Sequence, residues 1–180
     1  MSGALPVLRI AVSACLIGEP VRYDGQEKSC AIVTGGLAAL AELVPLCPEV
    51  GAGMPVPREA VDLFGDADAP RMVGVVTGED WTARANAWIV AALDRCEALG
   101  VAGFVLKARS PSCGVGTAAL YAAPGAEATR TDGLLAGAIR KRFPHLPLVE
   151  DEGLDVEAFM AQARSAHEEH LRRRKSPDHR

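Results

Sequence analysis

Aromatic residues make up only 4% of this 180-residue chain, and no apolar run approaches the roughly 20 residues that a membrane-spanning helix requires. The apolar stretch over residues 5–16 has no positively charged leader ahead of it, so no secretory signal is expected and the predicted setting is cytoplasmic. Basic excess is also missing. The 19 Lys and Arg stand against 23 Asp and Glu, and a net charge of −4 supplies no overall field for nucleic acid. Five cysteines are present, yet none form the close CxxC pair of a structural zinc site. In a reducing compartment they are expected as thiols or metal ligands rather than disulfides. Neither an internal repeat nor a low-complexity linker interrupts the chain, which predicts one domain over residues 1–180.

What is present is an ordinary globular mixture, 49% apolar and 23% charged, rich in Ala, Val, Leu and Gly. Residues 7–13 and 101–106 are short apolar runs of strand type, and residues 44–46, 72–76 and 148–149 read as further short strands. Apolar residues at helical spacing predict helices over 33–43 and 134–143, the latter with Asp132 as its N-cap. Trp81, Ala85, Trp88, Ala92, Cys96 and Leu99 mark another amphipathic helix, stopped by Gly100. A last helix is expected over about 154–174. Alternation of this kind predicts an α/β fold: a Rossmann-like open sheet, mostly parallel, with helices on both faces and a C-terminal helix. The stretch 47–71 carries Pro48, Gly51, Gly53, Pro55, Pro57, Gly65 and Pro70 and is expected to be a long functional loop. The basic run Arg172, Arg173, Arg174 and Lys175, in the tail 172–180, reads as a solvated helix end placed favourably against the dipole, with a phosphate or RNA contact as the alternative.

Three cysteines share one kind of position. Cys15 follows the first strand, Cys47 the strand at 44–46, and Cys113 lies a few residues past 101–106. Ligands of open α/β sheets bind beyond the carboxyl ends of the strands, so these thiols are expected to meet there. Cys96 falls on the apolar stripe of its helix and Cys30 beside a helix start, and both read as packing residues. Soft thiolates select zinc, copper(I) or iron–sulfur clusters. Three of them on a cubane cluster would leave one iron with an open position, a Lewis acid rather than only an electron store. The residues themselves leave three readings open. These are a catalytic cluster, a non-catalytic metal- or cluster-binding regulatory module, and a thiol-based sulfur carrier with a lowered thiol pKa.

The motifs around these cysteines carry a resemblance. Ser13-Ala14-Cys15-Leu16 followed by Val21-Arg22-Tyr23-Asp24-Gly25 resembles the opening signature of the DUF523 family, whose characterised members are thiouracil desulfurases. Cys47-Pro48-Glu49-Val50 with Gly53, Pro55, Pro57 and Arg58 is similar to its second motif, and Lys107 through Gly114, with Ser110-Pro111-Ser112-Cys113, to its third. Asp132-Gly133 also fits, and the likeness spans about residues 7–150. The resemblance implies a 4Fe–4S cluster held by Cys15, Cys47 and Cys113, with the fourth iron open. It further implies removal of sulfur from thiolated pyrimidines, thiouracil or 4-thiouridine monophosphate, to give the oxo pyrimidine and hydrosulfide without net redox change. One departure is Ala52 between Gly51 and Gly53, where the family commonly has paired glycines; its methyl is expected at the pocket edge.

On this reading Glu49, two residues from Cys47, is the candidate general base, worth roughly 10²–10⁴-fold. Ser110 and Ser112 are candidate proton-handling hydroxyls beside Cys113, or else caps of the turn at Pro111. Arg22, Tyr23 and Asp24 are candidates for contact with the pyrimidine or a ribose phosphate, and Arg58 and Lys107 for substrate charge. The expected partner is a small thiolated pyrimidine or nucleotide, with no membrane or nucleic-acid partner, and the expected state is a monomer or weak oligomer.

Overall fold

The computed structural model describes residues 7–26 and 29–175. The expectation for the end of the tail, residues 176–180 and the side chains beyond Arg172, lies outside the described residues. Arg172 itself sits 3.5 Å from Glu168, one helical turn back.

Four strands form an all-parallel sheet in the order β2-β1-β5-β8: β1 (Leu8–Ser13), β2 (Ala41–Leu46), β5 (Val101–Leu106) and β8 (Leu148–Glu150). Every residue of β5 is buried, as a strand covered on both faces must be. On one face Ile10, Val12 and Val105 pack with Phe159, Met160 and Ala163 of the C-terminal helix α4 (Val156–Lys175). On the other, Ala11, Phe104 and Leu106 share a core with helices α2 (Thr82–Leu99) and α3 (Leu134–Arg142). The expected open parallel sheet with helices on both faces and a C-terminal helix is thus present. Among the described residues no helix is long and apolar enough to cross a membrane.

The same core rests on a second sheet that the sequence pattern did not reveal. Its order is β4-β3-β6-β7, with β3 (Val61–Asp66), β4 (Ala69–Gly74), β6 (Ala118–Tyr121) and β7 (Ala128–Thr131). β3 and β6 run parallel, and the two outer pairs are antiparallel hairpins. The stretch 47–71 is therefore not one long loop. The segment expected as a strand over 72–76 begins earlier, at Ala69, and turns back on β3 through Asp66, whose carboxylate accepts the Asp68 N–H at 2.9 Å.

Three further boundaries differ from expectation. The helix expected over 33–43 is a short π-helical turn, Ile32–Leu37, with the Gly35-Gly36 pair inside it, and residues 41–46 are drawn into the sheet by register pairing from Leu8↔Ala41 to Ser13↔Leu46. β2 is an edge strand, so Pro45 is tolerated within it. Asp132 does not cap α3. Gly133 holds that position, while Asp132 accepts from the Gly116 N–H at 2.7 Å and pairs with Arg140.

Candidate functional site

The sheet order explains why distant cysteines meet. The chain leaves β1 towards β2 on one side and returns through β5 on the other, so the carboxyl end of β1 is a topological switch point. Cys15 lies in the short 3-10 turn Ala14–Ile17 after β1, Cys47 directly follows β2, and Cys113 ends the turn that follows β5. All three line one largely apolar cavity of about 260 Å³. Cys30 and Cys96 do not. Cys96 is buried in the core, and Cys30 packs beside the α4 face of the sheet, as expected for packing residues.

Local structure holds two of the cysteine-bearing segments. Cys47 precedes α1 (Pro48–Gly51), a single turn begun by Pro48 and pressed against α2. A Cβ on Gly51 would lie 2.2 Å from the Trp88 indole, so only glycine lets that turn approach so closely. The Cys113 turn is gripped by the start of α3. The Leu134 N–H donates to Pro111 O at 3.2 Å and the Leu135 N–H to Ser112 O at 2.8 Å, which uses amides that a helix start would otherwise leave unpaired. Gly133 donates to Gly114 O at 2.7 Å. The Asp151 carboxylate fixes the beginning of the same loop by accepting from Lys107 Nζ at 2.9 Å and from the Ala108 N–H at 2.8 Å. Between these anchors Arg109 adopts a positive φ of 60° and pairs with Glu152.

Burial pushes the Cys15 thiol up to about 11, and the neighbouring Cys47 adds to the rise. Burial also raises Cys47, and raises Cys113, on which Cys47, Cys15 and Glu49 all bear as negative neighbours. The Ser13 hydroxyl hydrogen-bonds the Cys113 thiol and accepts the Lys107 N–H at 2.9 Å, which ties the ends of β1 and β5 to this cysteine. Among the described residues no three His, Cys, Asp or Glu side chains converge as ligands of a single ion. Three soft donors spread round the wall of a cavity suit a polynuclear thiolate-bound cluster better than one small cation.

Polar groups gather on one side. Ser112 Oγ donates to Glu49 Oε1 at 2.8 Å and lies 3.6 Å from Met72 Sδ. Glu49 Oε2 receives Arg58 Nη2 at 2.6 Å and Nε at 2.8 Å. Ser110 is placed differently, its Oγ accepting the N–H groups of Ser112 and Cys113 at 3.2 Å each, as a cap of the turn. Arg22 and Tyr23 form part of the cavity wall, and Tyr23 is 48% exposed at its mouth. Asp24 is not in the wall; it pairs with Arg22 at 3.2 Å. Lys107 is in the wall and paired with Asp151. Ala52, expected at the pocket edge, is instead buried in the core beneath it. Sequence reasoning missed Ser13, Gly133 and Asp151. Ser13 and Gly133 stood inside the quoted motifs, and Asp151 directly follows β8 at the same sheet edge as the cysteines.

A cavity at a sheet switch point, with one buried and two half-buried thiols beside a paired carboxylate and hydroxyl, is a small-molecule site of the kind that α/β enzymes build. The chain is a member of the 2-thiouracil desulfurase family, whose model matches residues 10–152. A solved structure of a [4Fe-4S]-dependent thiouracil desulfidase, TudS (DUF523Vcz), is similar with a TM-score of 0.68 and 34% identity, covering 88% of this chain and 98% of that one. YbbK of Bacillus subtilis (strain 168), described as uncharacterized, is 33% identical over a stretch covering 59% of this chain and 74% of its own.

Proposed function

We propose that this chain is an iron–sulfur-dependent desulfurase that converts thiolated pyrimidines, thiouracil or 4-thiouridine monophosphate, to the oxo pyrimidine and hydrosulfide. The observation that carries it is the meeting of Cys15, Cys47 and Cys113 around one cavity that Glu49 and Ser112 also line. Membership of a desulfurase family favours turnover over a purely regulatory metal site. The cluster is proposed as 4Fe–4S on these three ligands. When bound, it would supply an open iron that takes the substrate sulfur and polarises the thiocarbonyl as a Lewis acid.

The chain's own residues account for the rest. The reaction is a hydrolysis: water contributes oxygen to the ring carbon, the carbon–sulfur bond breaks, and sulfur departs as hydrosulfide with no electron gained or lost. Glu49 Oε1 is the oxygen placed to take a proton from water, and the Ser112 hydroxyl on it at 2.8 Å is placed to pass one on. Ser110 shapes the turn that presents Ser112 and Cys113. Tyr23 offers a ring face and a hydroxyl to the pyrimidine, while Arg22, steadied by Asp24, and Lys107 stand at the wall for the polar end of the substrate. The chain is read as one domain acting as a monomer or weak oligomer in the cytoplasm, where its unpaired cysteines stay reduced.

The test is anaerobic turnover of both substrates by reconstituted protein, followed through loss of their near-ultraviolet absorbance, with Cys113→Ala and Glu49→Gln alongside. Wild-type turnover that Cys113→Ala abolishes supports the reading, and Glu49→Gln is expected to slow it by about 10²–10⁴-fold while keeping the cluster. Iron-loaded wild type that leaves both substrates intact would sink it.

A further inference from the structure

Of the cations in the cavity wall, one is unlike the others. The Arg58 side chain is 5% exposed, against 23% for Arg22, 21% for Lys107 and 61% for Arg109. Four of the five N–H groups of a guanidinium are engaged within the protein: Nε and Nη2 on Glu49 Oε2, Nη2 also on Val21 O at 2.8 Å, and Nη1 on Pro55 O at 3.3 Å. Its backbone N–H donates to Tyr23 O at 2.8 Å. A residue so spent has no fork left with which to grip a phosphate or carboxylate of a substrate.

We propose that Arg58 is the positioning residue of the reaction: it clamps Glu49 through Oε2 and so leaves Oε1, the oxygen that meets Ser112, as the only one free to exchange protons. The assignment rests on the desulfurase reading. Arg58 Nε and Nη2 converge on one carboxylate oxygen, while the other receives, among the described residues, the Ser112 hydroxyl alone. Glu49 sits two residues past Cys47 and Ser112 immediately before Cys113, so the clamp sets the Oε1–Oγ pair between two ligand-bearing segments. The guanidinium holds Val21 and the Arg58 backbone N–H holds Tyr23, which brings the Arg22–Tyr23 wall into register with the carboxylate. Buried ion pairs are poor devices for stability, since desolvation offsets much of their attraction, whereas fixed orientation of a reacting group is worth a great deal to rate.

The experiment compares wild type, Arg58→Lys and Arg58→Ala, cluster-loaded, on neutral 2-thiouracil and on 4-thiouridine monophosphate, with iron content and visible absorbance recorded for each. A positioning role lowers kcat on the order of 10²-fold by the same factor on both substrates, leaves KM near wild type, preserves iron content, and lets added guanidinium restore part of the Arg58→Ala rate. A rise in KM confined to the monophosphate would make Arg58 a phosphate contact and overturn the assignment. Parallel loss of iron would overturn it in favour of a structural role. If Arg58→Ala fails to fold, Arg58→Lys decides, and wild-type kcat in that variant overturns the proposal. Wild type inert on both substrates would instead strike the desulfurase reading, and this assignment with it.

Discussion

Gly133 lies directly against the peptide that joins Ser112 to Cys113: a Cβ on it would sit 2.6 Å from Cys113 N and 2.6 Å from Ser112 C. Its φ of −63° is open to any residue, so the requirement for glycine here is one of close approach rather than of backbone conformation. Gly133→Ala is expected to cost about 1–3 kcal/mol through overpacking and to displace the Cys113 turn. Denaturant unfolding of the apo-protein and iron content after reconstitution should both fall. Wild-type values for the two would mean that the turn has room to yield.

The turn that carries Glu49 depends on a second such contact. Gly51→Ala drives a methyl into the Trp88 ring and is expected to cost about 1–3 kcal/mol. Trp88→Ala removes the obstruction, so the double variant should be more stable than the sum of the two single losses predicts. Simple additivity in thermal unfolding would count against this contact as the reason for glycine.

Five single Cys→Ala variants separate ligands from packing. Cys15, Cys47 and Cys113 variants are expected to lose bound iron and labile sulfide, whereas Cys30 and Cys96 variants keep both. The Cys96 variant should lose about 1 kcal/mol of stability because its side chain is buried against the α2 core. Iron loss on replacing Cys30 would show that the ligand set is drawn wrongly.

The acid limb of stability should report Asp80. Hydrogen bonds from Thr82 first, and from Arg71 after them, hold its carboxyl down to about 2 from an ordinary value of 3.8. A carboxyl lowered in the folded state adds stability that is complete above the unfolded value and disappears as pH falls through the folded one. Its contribution is therefore expected to be lost between about pH 4 and pH 2. Thermal midpoints of wild type and Asp80→Asn, measured at pH 5, 3 and 2, should converge as the pH falls. A gap that stays constant would assign the effect elsewhere. The group is largely exposed, so the effect is a modest one.

Much of the fold was legible wherever a pattern was long or doubly buried. The run Val101–Leu106 could hardly be other than a central strand, and the spacing of Trp81, Ala85, Trp88, Ala92, Cys96 and Leu99 marked α2 to within a residue of its start. The second sheet was hidden because its strands are short, only half-buried and set among prolines and glycines. In β3 only Val61 and Leu63 point into the core, and β7 buries nothing. Residues 41–43 looked helical because Ala and Leu favour helix locally, but pairing with β1 overrode that preference.

At the site, the sequence by itself determined the chemistry on offer: three thiols, each past the end of a strand, with Glu49 and Ser112 within one or two residues of two of them along the chain. Those neighbourhoods are covalent and survive any packing. Tertiary structure alone decided which oxygen of Glu49 faces Ser112, that Ser110 is taken up by its turn, that Ala52 lies in the core, and that Arg58 points at a carboxylate. Each of these depends on groups far apart in sequence competing for the same hydrogen bond or the same space, and only the folded chain settles such a competition.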